Sequence, residues 1–159
     1  MIKTKASIEI RRPLHEVFTY VTEVENFPHW FGEIIQESRR VTPGVVGTGM
    51  GFTVVNEFLG RHFETHFTVT DYKADQLFCV ATKWGPLPFE GCFHFEPVDG
   101  GTLVTDQHQI GSGGFFDLVG SLLVERLRRQ ANMNLANLKK VLEGGAVDTV
   151  RAGSIPSTK

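Results

Sequence analysis

The sequence predicts an α+β domain: a curved antiparallel sheet of about seven strands wrapped around one long C-terminal helix, with an internal cavity between them. Three observations predict it. Segments of alternating polarity succeed one another up to residue 110, separated by only a few turn-forming residues, which makes a meander rather than βαβ units. Two short proline-marked helical stretches fall between the first and second strands. From Phe115 to Glu143 the apolar residues recur at spacings of three and four, and at 1.5 Å per residue such a helix reaches ~43 Å, enough to cross a small sheet.

Taken in order, residues 4–11 alternate Ala6, Ile8 and Ile10 with Ser7, Glu9 and Arg11 as a half-buried strand. Pro13 opens a helix, where its missing N–H costs nothing, and Leu14, Val17, Phe18 and Val21 form its apolar stripe. Asn26 to Phe31, with Pro28 in the first turn, makes the second short helix. Ile34–Val41 follows, then a Pro43-Gly44 turn. Strands are expected at Met50–Leu59, Arg61–Tyr72, Leu77–Lys83, Leu87–Pro97 and Thr102–Ile110. Their separators, such as Lys73-Ala74-Asp75 and Asp99-Gly100-Gly101, are turn-rich. Phe116, Gly120, Val124, Leu127, Ala131, Leu135, Leu138 and Leu142 then mark the helix, and Gly144-Gly145 stops it. The expected organisation is one domain over residues 1–144, with 145–159 a flexible tail.

Composition narrows the function classes. The 159 residues carry a net charge of −2, so no basic excess suggests a nucleic-acid partner. Arg126, Arg128 and Arg129 follow Glu125 on the long helix and read as a solvated face. No stretch is apolar for long enough to span a bilayer, and the N-terminus has no signal-peptide pattern, so a cytoplasmic protein is expected. Cys79 and Cys92 lack metal-ligand spacing; reduced thiols are the simplest expectation, with a single disulfide the alternative. The histidines resemble no metal set, and neither a metal nor a cofactor is expected. Thirteen Phe against two Tyr and two Trp point to an interior with large apolar area and few polar handles.

The order β-α-α-β6-α, with Ile8-Glu9-Ile10 before Arg12-Pro13, Val24-Glu25-Asn26-Phe27-Pro28-His29-Trp30, Phe58-Leu59-Gly60-Arg61, Phe95-Glu96-Pro97 and Gly100-Gly101-Thr102, resembles the START/polyketide-cyclase (SRPBCC) superfamily. The match runs from about residue 4 to 143. It implies the helix-grip fold and a cavity for lipids, polyketides or other apolar molecules. Some members of the superfamily are enzymes, so the fold leaves the activity open.

Alternation assigns each strand's inward set, and a slip of one residue would invert it. The resemblance at Phe95-Glu96-Pro97 implies that Phe93 and Phe95 face in, with Phe89 and Gly91 on the same parity; Phe63, Thr65, Phe67 and Val69 form a matching set, and Met50, Phe52, Val54, Asn56 and Phe58 face in on the preceding strand. On the last strand the resemblance favours Thr102, Val104, Asp106, His108 and Ile110. Asp106 and His108 then share one face where relatives carry apolar residues. They read as an acid–base pair or a polar anchor in an apolar pocket; the alternative has them in solvent or bonded to helix residues such as Asn134. Trp30, Phe52, Val54, Asn56, Phe67, Phe93, Val104, Leu123, Leu127 and Asn134 are the candidate ligand contacts. Trp84 is a weaker candidate for the cavity mouth. Gly111-Ser112-Gly113-Gly114 lacks the residues of a phosphate loop and reads as a hinge for the long helix.

Binding of a small hydrophobic or amphipathic molecule, with transport as an extension of it, is the leading expectation. A cyclase- or dehydratase-like enzyme using Asp106 and His108 is the alternative. A third is a homodimeric interaction protein using Leu118 and Leu122, which lie off the main helical stripe.

Overall fold

The computed structural model describes residues 2–32, 34–58, 60–82, 88–111 and 115–144, with side chains from 121 onward in the last segment. Seven strands form one antiparallel sheet: β1 (Ile2–Ile10), β2 (Ile35–Arg40), β3 (Gly51–Phe58), β4 (Arg61–Lys73), β5 (Leu77–Thr82), β6 (Phe89–Val98) and β7 (Gly101–Ile110). Three helices accompany them: α1 (Leu14–Thr22), α2 (Phe27–Trp30) after a 3₁₀ turn at Val24–Asn26, and α3 (Phe115–Leu142). The strand order is β1-β7-β6-β5-β4-β3-β2. Consecutive strands therefore pair as hairpins from β2 to β7, and the first strand closes onto the last. Trp84 and the expected tail fall outside the described residues, as do Ser112, Gly113 and Gly114 of the expected hinge.

Local chemistry explains the helices. The α1 stripe buries Val17, Phe18 and Val21, with Phe18 edge-on to Phe95 at 5.1 Å and to Tyr72 at 5.4 Å. Each such Phe removed from water contributes about 1.5–3 kcal/mol. At the end of α3, Gly144 adopts φ 84°, the left-handed conformation that closes a helix. Further bonds tie this end to the sheet. Lys139 Nζ donates to the Glu9 carbonyl at 2.8 Å, and the Arg11 N–H donates to Glu143 Oε1 at 2.9 Å.

Two features of the sheet go beyond period-two alternation. Register shifts between Ile35 and Glu37 on β2 and between Val69 and Asp71 on β4 insert bulges. Bulges bend a strand and increase its twist, which curves the sheet around α3. The second feature corrects an expectation: Cys79 and Cys92 are disulfide-bonded rather than reduced. They sit directly opposite each other on β5 and β6, with both side chains on the outer face, so pairing needs no rearrangement of the ladder.

A candidate ligand cavity ringed by aromatic side chains

On β6 and β7 the buried residues fall on the expected inward parity, whereas Phe63, expected inward on β4, is 49% exposed near the start of that strand. On β6 Gly91, Phe93 and Phe95 are buried, and on β7 Thr102, Val104, Asp106 and Ile110 are buried. Between this face and α3 lies a cavity of about 210 Å³. Its sheet wall includes Phe52, Val54, Phe67, Val80, Phe89 and Phe93; Phe27 and Phe31 close one side, and Leu127 and Ala131 form the helix side. Asn56, Gln130, Asn134 and His108 are its polar lining.

The aromatic residues do more than line a wall. Phe27 meets Phe52 at 5.7 Å between ring centroids, Phe52 meets Phe67 at 5.3 Å, and Phe67 meets Phe89 at 6.0 Å. Phe89 meets His108 at 5.0 Å, His108 meets Phe93 at 6.3 Å, and Phe93 meets Trp30 at 5.7 Å. Trp30 returns to Phe27 at 5.9 Å. The rings thus form a closed circuit. Most contacts are edge-to-face, which fixes each ring against its neighbours.

Of the ten candidate contact residues, Phe52, Val54, Asn56, Phe67, Phe93, Leu127 and Asn134 line the cavity. Three do not. Trp30 is fully buried behind the wall, packed on Phe27, Phe31 and Phe93, and its carbonyl accepts a bond from Asn137 Nδ2 at 3.3 Å. Val104 is fully buried in the sheet core. Leu123 is half-buried one helical turn before Leu127, outside the lining. The alternation missed Phe27, Phe31, Gln130 and Ala131, because helix rotation and the path of a short helix are set by tertiary packing. Leu122 is 77% exposed, whereas the side chain of Leu118 lies outside the described residues.

Asp106 and His108 are brought together. His108 Nε2 lies 2.7 Å from Asp106 Oδ1, and the Asp106 side chain is fully buried between Ala6 on β1 and Phe93 on β6. The contact is close but off the line of a hydrogen bond, so neither carboxylate oxygen has a well-directed donor among the described residues. Burial raises the Asp106 carboxyl above its ordinary range, and the adjacent imidazole pulls in the opposite direction. His108 is 15% exposed and borders the cavity; Asp106 stands behind it. Gly91 makes this possible. It is paired with His108 across the ladder, and a Cβ there would stand 2.8 Å from His108 Cδ2 and 3.1 Å from the Phe89 ring. Any larger residue would displace the imidazole.

A larger depression of about 630 Å³ lies across β1, β7 and β6. The cross-strand rows Lys3–Gln109–Glu90 and Lys5–Gln107–Cys92 give it outward-facing polar side chains, and the row Thr4–His108–Gly91, with Arg128 of α3, also borders it, so His108 stands between the two spaces. The apolar cavity is the better site on physical grounds, since affinity for small molecules comes mainly from enclosed apolar area.

Residues 1–143 match the family described as polyketide cyclase / dehydrase and lipid transport. The chain belongs to this family. Among curated proteins none matches the chain. Among solved structures, the protein TTHA0849 from Thermus thermophilus is similar with a TM-score of 0.74 at 14% identity, over 89% of this chain and 97% of that one. A START superfamily protein from Mycobacterium smegmatis is similar with a TM-score of 0.63 at 15% identity, over 89% and 94% of the respective chains. The di-domain ARO/CYC BexL from the BE-7585A biosynthetic pathway is similar with a TM-score of 0.73 at 18% identity, over 90% of this chain and 47% of that one. At these identities the likeness is one of fold: the α+β helix-grip architecture. No helix among the described residues is long and apolar enough to cross a membrane.

Proposed function

We propose that the protein binds a compact hydrophobic or amphipathic molecule in the cavity between the sheet and α3. The observation that carries this reading is an apolar space of about 210 Å³ lined by Phe27, Phe31, Phe52, Phe67, Phe89 and Phe93. An apolar cavity of ~150 Å³ is enough for a benzene molecule, whereas drug-sized ligands occupy about 300–1,000 Å³. The ligand is therefore of the size of one or two fused rings, or a short chain. Native mass spectrometry of protein purified from its host, followed by calorimetric titration with indane as an apolar probe, tests it. Uptake of indane is expected, together with its loss when Ala131→Phe fills the space while the thermal transition is retained. Failure of wild-type protein to take up any compact apolar probe would remove the reading.

A catalytic reading, cyclase- or dehydratase-like, is favoured by one specific observation: an imidazole at the cavity wall backed by a buried carboxyl with a raised pKa. Asp106 and His108 would then move protons on the bound molecule. This reading requires that Asp106→Asn bind the ligand normally while turnover collapses.

A further inference from the structure

Resting on that binding function, we infer that the ligand carries an anionic head group, a carboxylate or a phosphate, which lies in the depression across β1, β7 and β6 while its apolar body occupies the cavity. Three observations support it. The first is that the two spaces share a wall. Gly91 and His108 border both of them and are paired across the ladder between β6 and β7. Gly91 has no side chain, and a Cβ there would stand 2.8 Å from His108 Cδ2, so the imidazole lies close over it. Of the two shared residues only His108 has a side chain, and the partition at that point is one imidazole.

The second observation is the distribution of charge. Among the described residues no Lys or Arg lines the cavity, whereas Lys3, Lys5 and Arg128 border the depression against one acid, Glu90. Glu90 accepts a hydrogen bond from Gln109 Nε2. Arg128 pairs with Glu125 at 3.3 Å, and both side chains are exposed, so solvent weakens that pair. The whole chain carries a net charge of −2, so a local excess of cations sets this depression apart. Cations around a concave space attract an anion, and the adjoining apolar cavity holds the uncharged body attached to it.

The third observation is Thr4, the cross-strand partner of His108. It borders the depression, and its hydroxyl is buried without a hydrogen-bond partner among the described residues. Buried polar groups are normally partnered, and a head-group oxygen supplies the acceptor this one lacks. Burial also favours the protonated form of Asp106, the acid beside His108, which lessens its repulsion of a bound anion.

The test compares phenylpentanoate, phenylbutyl phosphate, phenylpentanol and phenylpentylamine by calorimetry, each also in competition with indane. The four share an apolar body and differ in the charge of the head. We expect at least one anion to bind on the order of tenfold more tightly than the alcohol, the amine to bind more weakly than the alcohol, and the anion to displace indane. The tighter anion identifies the head group as carboxylate or phosphate. Raising salt from about 0.01 M to about 1 M cuts the screening length from ~30 Å to ~3 Å and should remove the preference. Combining Lys3→Gln, Lys5→Gln and Arg128→Gln, all at exposed positions, should do the same. Arg126→Gln, which removes an exposed cation of α3 outside the depression, should keep it. Equal binding of anions, alcohol and amine, anion binding that leaves indane in place, or a preference that survives the triple variant would overturn the inference while leaving the binding function standing. Absence of binding by indane and all four compounds would overturn both.

Discussion

At the scale of single residues, Asp106 is a carboxyl buried as deeply as the apolar core. Its carboxyl is fully buried, and burial is the larger influence on it, pushing its pKa above the ordinary value of 3.8. In the unfolded chain that carboxyl loses its proton near the ordinary value, whereas the folded chain keeps it to higher pH. The folded state thus binds more protons across this interval. Asp106 contributes most favourably below the unfolded pKa, and its contribution declines as pH rises toward the folded one. Asparagine does not titrate. The stability difference between Asp106→Asn and wild type should therefore move in the variant's favour between about pH 3 and pH 7, measured by urea unfolding at each pH. A difference independent of pH, or one moving the other way, would show that the buried carboxyl is not raised. The position of this residue was legible because the resemblance favoured one face of β7 as inward, and the side-chain period of two then put Asp106 on that face with Thr102, Val104 and His108. The role of Gly91 was legible only as an interruption in a Phe-rich inward set. That it gives room to an imidazole on the neighbouring strand depends on cross-strand register, which alternation leaves open.

At the scale of elements, α3 is held unevenly. Ala131, Leu135 and Leu138 are buried, and Lys139 and Glu143 bond to the backbone around β1, whereas Ser121 to Gln130 are half-buried or exposed. The cavity underlies the junction, at Leu127, Gln130, Ala131 and Asn134. A helix segment over an unfilled space makes fewer apolar contacts and opens locally at lower cost. Amide hydrogen exchange should accordingly be faster over residues 121–130 than over 131–142, and a bound ligand should slow the first segment selectively. Uniform protection along α3, or ligand protection confined to its C-terminal half, would contradict this. The helix itself and its stop at Gly144 were readable from periodicity and a glycine cap. The uneven hold was not, since Leu123 and Leu127 are equivalent in the sequence pattern, yet only Leu127 reaches the cavity. The bulges on β2 and β4 were likewise silent, because a single inserted residue leaves too little of the alternation on either side to shift the count.

At the scale of the whole molecule, the sheet is a run of local hairpins closed by one distant pairing of β1 with β7, and the disulfide reinforces the local part. It links β5 to β6 across a sequence separation of 13, bridging the loop between the two strands. Its position behind Val80 and Gly91, which line the cavity, ties the outer face of the sheet to the wall that carries Phe89 and Phe93. Sequence offered no signal for the pairing, since two isolated cysteines on separate strands become neighbours only once register is set. A closed loop of this size removes chain entropy worth about 3 kcal/mol from the unfolded state, so Cys79→Ala/Cys92→Ala should lower unfolding free energy by roughly that amount. The loss should appear in denaturant midpoint with a modest rise in m, because the unlinked chain exposes more surface. Intact protein should also gain two mass units on reduction under denaturing conditions. If the double variant unfolds at the wild-type midpoint, or if non-reduced protein reacts with two equivalents of a thiol reagent, the sheet is held by its ladders and core without the bridge.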